Sequence, residues 1–144
     1  VRAFRVPAVE RRLVVEAVIA LATARLVLSL LSFPRALARL GLRQRQGDGA
    51  TAPIAATDAA PIAAIALAID RATRVVPFRA VCLPQACAAA QMLRRRGLST
   101  EVHLGVAARP AEPLGAHAWS VCCGIVVTGA SAIEGHAPIA VFTS

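Results

Sequence analysis

Cys82 stands two positions before Pro84 in the stretch VPFRAVCLPQACAAAQMLRRRG (Val76 to Gly97), where a helix is expected to begin. Unpaired N–H groups and the positive end of the helix dipole at such a start favour thiolate over thiol. The same N–H groups can stabilise an oxyanion on an attacked carbonyl. A sulfur nucleophile also needs a base within hydrogen-bond reach. Three histidines are available, His103, His117 and His136. His117 is the choice, because it opens a strand after a Gly/Pro loop and its neighbours Gly115, Ala116 and Ala118 are small. His103 reads as a solvated mid-strand residue, and His136 falls in a short irregular segment. Trp119 and Gln85 are candidates for contacting substrate, against the plainer readings of core filler and solvated helix residue. On residues alone the pairing is weak, since free cysteine is among the most often buried residue types.

The elements that must position these groups follow from period and punctuation. Arg11, Arg12 and the apolar run to Phe33 read as one long helix that Pro34 kinks or stops. RALARLGL adds a short helix closed by Gly41, and RQRQGDGATAP has a linker's composition. A second long helix restarts near Thr57 or Asp58 as cap, with Pro61 in its first turn and Ile62, Ile65 and Ile69 facing the core. VVPFRAV is extended, and the Cys82 helix then runs through Met92 to a stop at Gly97. Arg94–Arg96 suit the negative end of its dipole, or else a site for an acidic partner. Beyond it the period changes to two: TEVHLGVA, AHAWSVCC and GIVVTGAS read as strands, with IAVFT as a fourth. His117, Trp119 and Val121 share a face, and Cys123-Gly124 is a tight turn. Helices followed by a strand meander make the fold α+β, one domain overall. Its parts are an apolar helical segment 1–42, a linker 43–56 and a core 57–144.

Composition narrows the partners. The chain is 57% hydrophobic, too apolar for disorder, and its formal charge of +8 favours acidic partners without choosing among them. Four Phe, one Trp and no Tyr leave few stacking faces for single-stranded nucleic acid. Cys82, Cys87, Cys122 and Cys123 have no zinc-site spacing, so no metal or other cofactor is expected, and free thiols point to the cytoplasm. Leu13 to Phe33 is long enough to span a bilayer, but Glu16 and Arg25 interrupt it. It reads as a docked helix, with a membrane or partner surface as the competing use and a signal segment ending near Ala22–Ala24 as a third.

The blocks Cys82-Leu83-Pro84-Gln85-Ala86, Arg94-Arg95-Arg96-Gly97, Leu104-Gly105-Val106 and Ala116-His117-Ala118-Trp119 together resemble the transglutaminase-like leader peptidases of lasso-peptide biosynthesis. In that family the C-terminal half of the B protein often stands as a separate chain of about this size. The resemblance implies a papain/transglutaminase-like cysteine peptidase that cuts the leader from a precursor peptide. Cys82 would be the nucleophile and His117 the general base. It further implies a small leader-binding partner protein and an ATP-dependent cyclase.

One element of the family pattern is missing. The orienting Asp is expected about a dozen residues after the histidine, and that count lands on Gly129. Register reaches the same place: Cys122 opposite Ile125 carries His117 to Ala130, with Gly129 beside it. Glu134 is the only carboxylate after His117 and the candidate substitute; otherwise Thr128, a backbone carbonyl or water must fix the ring. A pair without its acid works more slowly, so a catalytically weak or silent peptide-binding module of the same complex is the alternative reading.

Overall fold

The computed structural model describes residues 7–45, 59–107, 116–133 and 135–144. Helix α1 (Ala8–Leu30) ends three residues short of Phe33. Pro34 does not terminate it; it sits in the first turn of α2 (Phe33–Arg39), where a missing N–H leaves no hydrogen bond unmade. Helix α3 (Ala60–Thr73) likewise has Pro61 in its first turn, and Ile62, Ile65 and Ile69 are buried as their spacing predicts. The expected caps Thr57 and Asp58 lie outside the described residues. Helix α4 (Cys82–Arg94) closes through Gly97 at φ +75°, with the Leu98 N–H donating to the Leu93 carbonyl at 3.0 Å.

Five antiparallel strands form one sheet: β1 (Arg43–Gln44), β2 (Thr100–Ala107), β3 (Ala116–Cys122), β4 (Ile125–Thr128) and β5 (His136–Thr143). Their spatial order is β1-β5-β2-β3-β4. Arg43 and Gln44, the first residues of the expected linker, pair instead with Thr143 and Phe142. Residues 46–56 of that stretch lie outside the described ones. Cys123 and Gly124, at φ 51° and 76°, make the two-residue turn with positive φ at both centres that matches strand twist. Cys122 opposes Ile125 as the register argument requires.

Alanine governs how the layers meet. Ala86, Cys87, Ala88, Ala89 and Ala90 on α4 are all buried, which lets neighbouring backbones approach closely. Ala86, Cys87 and Ala90 share a cluster with Ala24 of α1 and Ala118 of β3, and half-buried Cys82 and Leu83 pack against it. Ala88, Ala89, Met92 and Leu93 share the other cluster with Ala17, Ala20 and Leu21 of α1 and Cys122 of β3. So α4 runs antiparallel to α1 and in the same sense as β3, and its start lies at the β3 end that carries His117. Helix α1 is apolar and long enough to cross a bilayer by length and composition. It buries Ala17, Ala20, Leu21 and Ala24 and leaves Val15, Ile19, Leu26 and Leu30 exposed. The architecture is the α+β, papain-like one expected.

Candidate active site

Cys82 is the first residue of α4, and Val81 before it is extended. Helix geometry leaves the N–H groups of Cys82 and Leu83 without an intrahelical acceptor, and Pro84 has no N–H to offer. The next N–H, that of Gln85, donates to the Val81 carbonyl at 3.3 Å. The Gln85 side-chain amide donates to the Ala80 carbonyl at 2.7 Å, so this half-buried residue braces the extended approach against the helix start. Gln85 is therefore engaged locally, not solvated.

His117 is held from its far side. Its Nε2 lies 3.2 Å from the Gly129 carbonyl oxygen. A carbonyl can only accept, so Nε2 carries the proton and Nδ1 keeps its lone pair. That is the tautomer a general base needs at Nδ1. The position where a carboxylate was expected thus supplies a main-chain oxygen. Simple register does not reach it: the pairing shifts between Ser120 and Val121, so Ser120 faces Thr128, and β4 ends there. Ala130, expected opposite His117, opens a short 3-10 turn at 130–132. Gly129 adopts φ +79°, and a Cβ there would stand 2.7 Å from the Ala118 carbonyl oxygen and 3.1 Å from His117 Nε2. No side chain fits without moving the strand. Glu134 lies outside the described residues.

Trp119 is 5% exposed and stacks against both His117, at 6.1 Å between ring centroids, and His103, at 5.5 Å. Gly105 on β2 makes room for it, since a Cβ there would meet the indole at 2.8 Å. The plainer reading of Trp119 as a packed wall beside the histidine fits this burial. His103 departs from expectation. It is half-buried, and its Nε2 sits 3.0 Å from Glu101, whose other oxygen accepts from Arg45 at 2.7 Å. The two-residue period that gave it a polar face could not show that the indole and Glu101 pack against the ring there. His136 also joins the site, its ring 5.3 Å from that of His117. It opens β5 opposite Ala107, which sequence reading placed in irregular chain.

Two of the three remaining cysteines are set apart by burial. Burial pushes the Cys87 thiol up to about 12 and the Cys122 thiol up to about 11, so neither supplies thiolate near neutral pH. Cys82 and His117 lie at the same end of the α4–β3 layer, yet His117 stands on the Trp119 side of the strand while Ala118 faces α4. Among the described residues no hydrogen bond joins the sulfur to the ring. No group of three or more potential metal ligands occurs among the described residues.

Searches of curated proteins and of solved structures returned no match. A family model does match, the transglutaminase-like superfamily core, over residues 20–141. That span takes in the C-terminal part of α1, all of α4 and the histidine strand, and the chain belongs to the transglutaminase-like superfamily.

Proposed function

We propose that this chain is a cysteine peptidase that removes the leader from a ribosomally made lasso-peptide precursor, working in the cytoplasm beside a leader-binding protein and an ATP-dependent cyclase. The observation that carries the reading is His117 with Nε2 engaged by Gly129 and no hydrogen bond at Nδ1 among the described residues, at the end of the sheet where α4 begins with Cys82. Nδ1 takes the thiol proton as Sγ attacks the carbonyl carbon of the leader–core bond. The N–H groups of Cys82 and Leu83 stabilise the oxyanion. The imidazolium returns its proton to the departing amine, and water then hydrolyses the thioester, restoring the thiol. For this chemistry the sulfur must reach Nδ1 from the α4 side of β3, a contact that substrate binding has to bring about.

A neutral carbonyl orients the ring but adds no negative charge. A charge-assisted hydrogen bond is roughly twice as strong as a neutral one of about 1 kcal/mol. The imidazolium therefore loses about 1 kcal/mol relative to a carboxylate-backed one, or roughly five- to tenfold in rate. Intact-mass analysis of the precursor, incubated with this chain and the leader-binding protein, tests the assignment. Leader loss with the wild type and none with Cys82→Ala or His117→Ala is the expected result. Cleavage retained in either variant overturns it. The same missing charge favours the second reading, a silent module that carries precursor between partners; it gains if the wild type binds precursor without cutting it.

A further inference from the structure

The Arg94-Arg95-Arg96 run divides in the fold. Arg96 is structural: its Nη1 and Nη2 donate to the two carboxylate oxygens of Glu16 at 2.9 and 2.8 Å, and Nη1 also donates to the Met92 carbonyl. Arg94 and Arg95 turn instead to a hollow of about 290 Å³ that they share with Arg39, Leu40 and Gln91. Arg94 lies across Gly41, where a Cβ would collide with its guanidinium. Arg39 and Arg94 are exposed and have no carboxylate partner among the described residues, and Arg95 has only a 3.7 Å approach to Glu16. The four described carboxylates, Glu10, Glu16, Asp70 and Glu101, are each already paired elsewhere.

We propose that this hollow binds an acidic polypeptide segment, its carboxylates taken by the forked guanidinium groups of Arg39, Arg94 and Arg95 and its backbone met by the Gln91 amide. Planar forks match carboxylates two bonds at a time. Helices α2 and α4 both end at this place, and their carbonyl-rich, negative termini oppose any anion, so the guanidinium forks must carry the binding. Phosphate cradles depend on backbone N–H groups, and none of these helix ends supplies them. The site lies at the far end of α4 from Cys82, about 18 Å along the axis at 1.5 Å per residue. It is therefore separable from the peptidase chemistry.

The test is fluorescence anisotropy at about 50 mM salt with a labelled ten-residue peptide alternating Asp and Gly, against the same peptide carrying Lys. Wild type and Cys82→Ala should bind the acidic peptide alike and saturably, which keeps this result independent of whether Cys82 is catalytic. Arg39→Gln and Arg94→Gln should each weaken binding at least about fivefold, while Arg11→Gln, which removes an equal charge from α1, changes it less than about twofold. Arg94→Gln also disturbs the Gly41 turn, so Arg39→Gln carries the decision, with an unchanged melting temperature as its control. Equal weakening by Arg11→Gln would reduce the effect to net charge and overturn the proposal. So would the absence of saturable binding, or tripolyphosphate binding tighter than the peptide.

Discussion

Replacing Gly129 by alanine isolates the main-chain device that holds His117. Gly129 is at φ +79°, a region that costs an L-residue about 1–2 kcal/mol. Its new Cβ would meet the Ala118 carbonyl oxygen at 2.7 Å, the Trp119 Cβ at 2.9 Å and His117 Nε2 at 3.1 Å. Two of these are closer than real Cβ contacts come, so the Gly129 peptide must shift and its bond to the imidazole is lost, a further ~1 kcal/mol. The expected total is about 3 kcal/mol. Gly97→Ala is the control, because φ there is +75° but nothing lies within 4 Å of the added carbon. It should cost only the backbone part, about 1 kcal/mol. Chemical denaturation gives both values, and thermal melting should drop by about 10 °C and 4 °C respectively. If the two variants lose the same stability, the close packing of Gly129 around His117 is refuted, and with it the account of how the ring is fixed.

Two further results are expected. A thiol-reactive probe at neutral pH should leave Cys87 and Cys122 unlabelled in the folded chain, since burial holds both thiols protonated, and should modify Cys82; peptide mapping by mass spectrometry reads this, and Cys87 labelling before unfolding would contradict it. Arg96, by hydrogen bonding, holds the Glu16 carboxyl below its ordinary value, so the charged pair stabilises the fold above about pH 4.5 and that contribution fades as pH falls through the lowered value. Glu16→Gln should therefore cost up to about 1 kcal/mol at pH 7 and progressively less in acid or 1 M salt, the pair being partly exposed.

Local rules reached most of the elements. Pro61 and Pro84 in first turns, Gly97 after a helix and Cys123-Gly124 between strands each fix backbone through their own covalent geometry, and each behaves as expected. Long-range features were out of reach. Strand β1 exists only because Arg43 and Gln44 meet β5, and two residues carry no period. The half-burial of His103 depends on Trp119 from one strand and Glu101 on its own, and its polar neighbours alone imply solvent. Residue type and surroundings nominate Cys82 and His117 as candidates, but could not show that His117 stands on the Trp119 side of β3. The orienting oxygen was not legible, because it belongs to a peptide group, and every residue has one.

Strand β5 comes late in the chain but lies between β1 and β2, and Arg43 faces Thr143 across 100 positions of sequence. A nascent polypeptide can zip β2, β3 and β4 together as they emerge, since each follows its neighbour closely. The flank of β2 stays unsatisfied until residues 136–143 clear the ribosome and slot in. Such a delayed insertion is slow on loop-closure grounds and leaves a sticky ladder open meanwhile. Cells making this protein would gain from a chaperone that masks that flank, and clipping off β5 should yield an aggregating product with its helices intact.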